Sequence, residues 1–434
     1  MAASRSSGSP SSDADSPAPT NGTPDAYPDA VDSPQDEKAA IPTREATDRP
    51  WLHLLLFGLT LVSTVYAGAF WVNRVLFYEA QGETVSLLFT TVPEAWLLDG
   101  LRYSIPLLGF LTVHEFGHYF AARYHRVNTS LPYYIPFLPQ LNLIGTFGAV
   151  ISIRQAIPST RKLFDIGVAG PLAGFVVALG ALFYGFATLP PPEYLLDLPG
   201  HEMLKEHIRQ HGTFPATPPE PSGNALVIVV GQTPLFWFLS QFFANVPPMY
   251  EIYHYPVLFA GWLGLFFTAL NLLPVGQLDG GHVLYALLGN HWHRRFAQAF
   301  VFLLLISGGI GFIKEAQPAL YDMGALWGRL SWVMLAAIYY GYLYRIFSGT
   351  HRKMMAGLLV LLAAVGLAKL VGPALTQFGY TGWLVWTLLI VFLIRVEHPP
   401  VVHEQSLNRT RRVLGYLALA IFVLCFSIRP LSVL

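Results

Sequence analysis

After Pro50 the chain is a succession of apolar runs of membrane-crossing length, and no other feature limits its fold so strongly. A helix needs about 20 mostly apolar residues to cross the hydrocarbon of a bilayer. Candidate runs lie at 51–72, 103–124, 166–187, 256–273, 296–313, 330–347, 354–371, 382–394 and 413–428, the eighth being short. Charge is correspondingly scarce. Only 12% of the 434 residues are charged, against roughly 25% in soluble domains. With 53% hydrophobic residues, a soluble fold would lack the polar surface to cover itself. The sequence therefore predicts an all-α polytopic membrane protein with about nine transmembrane helices, seated in a lipid bilayer.

Basic residues orient these spans. Arg123, Arg126, Arg154, Arg161 and Lys162 separate the second and third, and Arg294 and Arg295 follow the fourth. Arg345, Arg352 and Lys353 separate the sixth and seventh, and Arg395, Arg409, Arg411 and Arg412 precede the ninth. Clusters on alternate loops obey the positive-inside rule if the N-terminus is cytoplasmic. Residues 1–49 read as a disordered acidic tail, with nine acids against four bases and little that could offset the entropy of ordering. That acid content speaks against an import peptide and for a prokaryotic plasma (inner) membrane rather than a plastid. Lys+Arg and Asp+Glu balance at 26 each, so no basic stripe points to nucleic acid. The single cysteine, Cys425, excludes an intrachain disulfide and any Cys-rich metal site.

Two stretches break the spanning pattern. Residues 138–153 are apolar but interrupted by glycine and β-rich at their end, which points to a small re-entrant or interfacial β element, an apolar loop packed on the helices being the alternative. Residues 188–255 form a Pro-rich extra-membrane segment with a helix expected at 201–211, where His201, His207 and His211 read as a solvated face.

The second run carries His114, Glu115 and His118 in the H-E-x-x-H pattern. Residues four apart share a helix face, so both imidazoles can meet one metal ion while Glu115 reaches a metal-bound water. Ionisable groups are rare in spans and usually face an interior site. A catalytic zinc takes three protein ligands. Asp279 is the best third candidate, because Pro274, Gly276, Gly280 and Gly281 break the helix around it and broken helices within membranes line cavities. Two alternatives stay open: Asp279 as the N-cap of the following helix, and His282 as a rival ligand or a structural neighbour.

His114-Glu-Phe-Gly-His118, Gly170-Pro-Leu-Ala-Gly174 and Asn271-Leu-Leu-Pro-Val-Gly-Gln-Leu-Asp279-Gly resemble the signature motifs of the site-2 proteases, the intramembrane zinc metalloproteases of peptidase family M50. The likeness covers about 101–289, in motif order and placement. Gly-Thr-Phe-Gly-Ala-Val-Ile-Ser-Ile and the undivided Gly-Pro-Leu-Ala-Gly-Phe resemble the EGY-type branch. The resemblance implies His114, His118 and Asp279 as ligands of one Zn2+, Glu115 as catalytic base, and Asn271 as a group that binds substrate or the oxyanion. Gly170 and Gly174 would permit close helix packing, as their spacing also suggests. The implied partner is a transmembrane segment of a substrate protein, cleaved toward the cytoplasmic side. Once unwound, it would pair with the strand edge at Gly148, Ala149, Val150 and Ile151. Segment 188–255 is too short and Pro-rich for a PDZ domain. Residues 50–100 hold the first span and a loop, while the helices of 290–434 lie outside this core and carry no assigned role. A metal-ion transporter using the same His and Asp residues is the rival reading, and its weakness is the absence of paired repeats.

Overall fold

The computed structural model describes residues 49–72, 79–81, 84–86, 93–138, 144–198, 201–219, 228–394, 396, 398 and 401–433. The tail expected at 1–49 lies outside them apart from Arg49. The helices are α1 (Pro50–Trp71), α2 (Pro93–Tyr124), α3 (Thr160–Ala187), α4 (Glu202–His211), α5 (Pro234–Ser240), α6 (Pro256–Asn271) and α7 (Asp279–Gly311). Beyond them come α8 (Gln317–Asp322), α9 (Ala325–Ile346), α10 (His351–Val371), α11 (Pro373–Thr376), α12 (Gly382–Leu388) and α13 (Arg409–Cys425).

Each of the nine apolar runs falls mainly on helix. Among the described residues, four helical stretches are long and apolar enough to cross a membrane: Pro50–Trp71, Thr160–Ala187, Asp279–Asp322 and His351–Val371. Pro256–Asn271 and Gly382–Ile394 are apolar but shorter. By length and composition, four of the nine expected spans meet that standard among the described residues. α2 has the length, with 32 residues, but His114, Glu115 and His118 dilute its apolar character. α9 carries Arg329 and Arg345, and α13 has 17 residues with Arg409, Arg411 and Arg412 in its first turn.

α2 is the hub, packed against α1, α3 and α6. Tyr103, Leu107 and Phe110 of α2, Phe164 and Leu182 of α3, and Trp262 and Leu265 of α6 are buried in one continuous core. Gly264 lets α6 approach Ala178 of α3 so closely that a β-carbon there would lie 2.7 Å from the alanine methyl, a small-residue contact of the sort that serves where apolar burial gives no drive between helices. Outward positions such as Leu54, Val62, Val176 and Leu359 are exposed and apolar, as lipid contact requires.

The β structure exceeds the single element expected. β3 (Tyr133–Pro136) and β4 (Thr146–Val150) pair antiparallel, with Tyr133 opposite Val150, Tyr134 opposite Ala149 and an irregularity before Pro136 opposite Thr146. β4 lies within the 138–153 stretch, of which 139–143 are outside the described residues. Two further pairs join β1 (Glu79–Gln81) to β2 (Thr84–Ser86), and β5 (Ile228–Val230) to β6 (Leu431–Val433). Three-residue strands are too short to show a period-2 pattern, so the sequence conceals them. α7 also departs from a single rod: Gly289 has φ 74° and ψ 170°, which breaks the helix ten residues after Asp279.

Candidate active site

His114, Glu115 and His118 occupy consecutive turns on the buried side of α2. Asp279 reaches them from the first residue of α7. Its capping alternative is excluded locally: Leu278 occupies the N-cap position, and Asp279 Oδ2 is directed at the imidazoles. The loop before it folds tightly back on the new helix. A β-carbon at Gly280 or Gly281 would overlap the carbonyl oxygens of Leu272 and Gly276, so the Gly-Gly pair is what allows Asp279 to sit there.

Three donor atoms converge. Nε2 of His114 and Nε2 of His118 are 3.1 Å apart, and Asp279 Oδ2 lies 3.5 Å from the first and 3.3 Å from the second. Ligands held tetrahedrally at the usual zinc–nitrogen and zinc–oxygen distances would be about 3.3–3.4 Å from one another. The match is close. Hydrogen bonding supports it, because His118 Nδ1 donates to the carbonyl of Ile166 at 2.7 Å. A neutral ring so tied presents a lone pair at Nε2, facing a carboxylate oxygen that also offers lone pairs. A cation resolves that arrangement, and the tether is the outer support that ligating imidazoles normally have. The donor set fits a single zinc ion. His114 Nδ1, by contrast, is buried without a hydrogen-bond partner and lies against Gly174.

Gly170 and Gly174 do more than bring helices together. A β-carbon on Gly170 would overlap the His118 ring, and one on Gly174 would lie 2.9 Å from Phe110 and 3.1 Å from His114. Both glycines clear the volume that the imidazoles fill. Asn271, at the end of α6, directs its side-chain Nδ2 to within 3.2 Å of His114 Nε2, so its amide belongs to the same cluster. His282 is not among the converging donors; its Nδ1 lies 2.8 Å from His398 Nε2.

A cavity of about 340 Å³ opens on this cluster. It is lined by His114, Glu115, His118, Asn271 and Asp279 and by residues of β4 and just after it, including Gly148, Ala149, Val150 and Ile151. The backbone of Ile151, the residue after β4, lies beside the Glu115 carboxyl. Strict alternation fails in the strand, because Gly148, with φ 98°, and Ala149 are both buried. Sequence reasoning missed Gln277, Phe267 and Leu111 on the cavity wall and the Ile166 carbonyl behind His118. A main-chain oxygen has no signature in residue type, and apolar wall residues look like any others in a span.

The model of peptidase family M50 matches residues 103–313. The chain is 30% identical over 248 residues to a probable zinc metalloprotease EGY1, chloroplastic, of Arabidopsis thaliana, covering 55% of this chain and 40% of that protein. It is 30% identical over 192 residues to a protein of the same description from Oryza sativa subsp. japonica, covering 44% and 29%. Against a probable zinc metalloprotease EGY2, chloroplastic, of Oryza sativa subsp. indica, identity is 27% over 211 residues, covering 49% and 33%. The chain thus spans less than half the length of these relatives. No solved structure gives a significant match. The relatives are chloroplast proteins by description, which leaves the expected prokaryotic plasma membrane without support. The region 103–313, with His114, Glu115, His118 and Asp279 all inside it, matches the model of peptidase family M50, and the chain is similar to the EGY zinc metalloproteases.

Proposed function

We propose that the chain is an intramembrane zinc metalloprotease that hydrolyses a peptide bond within or near a transmembrane segment of another membrane protein. One observation carries the reading: three converging donor atoms stand beside a buried glutamate in a cavity that a strand also lines. Zinc, held by His114, His118 and Asp279, would supply Lewis acidity and a water of lowered pKa.

The remaining work falls to the chain's own residues. Glu115 takes a proton from the attacking water and returns it to the leaving amine. The Asn271 amide donates to the carbonyl oxygen on which negative charge develops. A substrate helix hides its peptide groups in its own hydrogen bonds, so it must unwind before attack. The segment at Gly148, Ala149, Val150 and Ile151 offers a backbone edge for the extended form. It lines the same cavity as His114, His118 and Asp279, and a paired peptide would bring its carbonyl toward Asn271 and Glu115. His118 stands five residues before Arg123, about 7–8 Å along a helix. With Arg123 at the cytoplasmic boundary, water enters from that side.

The transporter reading requires ligands along a pathway. Among the described residues only His114, His118 and Asp279 are grouped to hold a metal ion, so that reading lacks a second station. Purified Glu115→Gln protein tests the protease reading. It should keep its zinc and lose cleavage of single-span substrates; retained cleavage overturns the assigned base.

A further inference from the structure

The helices after Gly289 have no part in the mechanism above, yet one C-terminal stretch returns to the metal ligands from two sides. On the α3 side, Asp165 accepts two parallel hydrogen bonds from Arg411, from Nε at 2.8 Å and from Nη2 at 2.8 Å. His125, just beyond α2, meets the same carboxylate at 2.8 Å. The next residue is Ile166, whose carbonyl fixes the His118 ring. The main chain before α3 is held as well: His403 N–H donates to Pro158 O at 2.9 Å, and Thr160 N–H donates to His403 O at 3.1 Å. Arg161 Nε donates to Ser406 O at 3.0 Å.

On the α7 side, Gly276 N–H donates to Val396 O at 3.1 Å, three residues before Asp279. His398 meets His282 one turn after Asp279. The Tyr285 hydroxyl donates to Glu404 at 2.9 Å. His118 and Asp279 come from helices far apart in sequence, and this C-terminal stretch is joined to the backbone beside both.

We propose that Val396, His398 and residues 401–411 act as a positioning strap of the metal centre, with Arg411 and His398 as its two anchors. Arg411 acts through Asp165 on the turn of α3 that orients His118. His398 and the Val396 carbonyl act on the loop and first turn that present Asp279. The bidentate fork specifies direction as well as charge, which suits it to holding a helix turn in register. The strap rests on the reading of His114, His118 and Asp279 as zinc ligands, but not on proteolysis.

The test measures zinc affinity of the full chain in detergent or nanodiscs, by competition with a chelator of known affinity, and records the visible spectrum of the cobalt-substituted protein. Outer partners of metal ligands typically contribute 10–100-fold in affinity. Arg411→Gln should weaken zinc binding by about that factor and alter the cobalt bands. Arg411→Lys, which keeps the charge but not the fork, should fall between it and the unmodified chain. Arg411→Gln with unchanged affinity and unchanged bands overturns the strap. If that variant does not fold, His398→Ala reads the other anchor: weakened zinc binding supports the strap and unchanged binding overturns it. Unmodified protein that binds no zinc overturns both the metal reading and the strap. Zinc-loaded protein whose strap variants lose affinity, but which cleaves no peptide, overturns the protease reading and leaves the strap standing.

Discussion

Gly170 faces His118 across the α2–α3 contact so closely that a single added methyl would occupy the space of its Nε2 atom. The ring cannot retreat freely, because Nδ1 is tied to Ile166. Gly170→Ala should therefore lose zinc and activity together, by about 100-fold in affinity, the upper end of what lost outer support costs. Gly174→Ala, which meets its neighbours at 2.9 and 3.1 Å, should cost less. Metal analysis of both purified variants checks the order.

Zinc should also brace the fold. Its ligands come from α2 and from the start of α7, so an ion bound only by the folded chain shifts the unfolding equilibrium. At a hundredfold excess over its dissociation constant, the gain is about 2.7 kcal/mol. Treatment with 1,10-phenanthroline should lower the thermal midpoint and abolish cleavage, and added zinc should restore both. A midpoint that ignores chelation and refilling would contradict the site.

Asn271 gives a different signature from the ligands. Its amide stands beside His114 Nε2 but presents an N–H there rather than a lone pair. Asn271→Ala should keep zinc and lose roughly 10²–10³-fold in kcat, the usual cost of one oxyanion donor. Steady-state kinetics with metal analysis on the same sample separates this from a ligand defect.

The segment between α3 and α6 carries its own pH dependence. His201 caps α4 with φ 61°, 3.9 Å from Glu251, and its ring packs edge-on against His254 at 4.6 Å. Glu251 also accepts from His254 at 2.7 Å, while Lys205 and Glu202 lie on the adjoining turn. Burial, then the neighbouring His254, lowers the His201 pKa below its ordinary 6.5, despite the Glu251 and Glu202 carboxylates. The unfolded chain therefore takes up the proton first. Above pH 6.5 the group is neutral in both states; as pH falls below it, stability is lost. His201→Asn, which tolerates a left-handed backbone, should flatten that loss in thermal melts between about pH 8 and pH 5.

Much of the site was legible because its signals are local. His114, Glu115 and His118 declare themselves by helical spacing, and Asp279 by an acid placed in a Pro- and Gly-broken span. The nine runs all marked helix, yet a helix that carries His114, Glu115 and His118, as α2 does, forfeits the apolar signal used to count spans. β3 was hidden because Tyr133–Pro136 has no alternation and ends in proline. The role of Gly170 was half visible: spacing showed a close approach, but not that the neighbour is an imidazole rather than a backbone. Arg411 was read only as a topological charge, since nothing local links it to Asp165, 246 residues earlier.

The interruption at Gly289 sets what the distal helices can become. In an unbroken α-helix one inserted residue swings everything on its far side by about 100°. Here the helix is interrupted ten residues after Asp279. The first turn of α7 is thereby set apart from its outer length, whereas Val396, His398 and Arg411, joined to the chain beside both Asp279 and His118, leave the C-terminal stretch less room to vary.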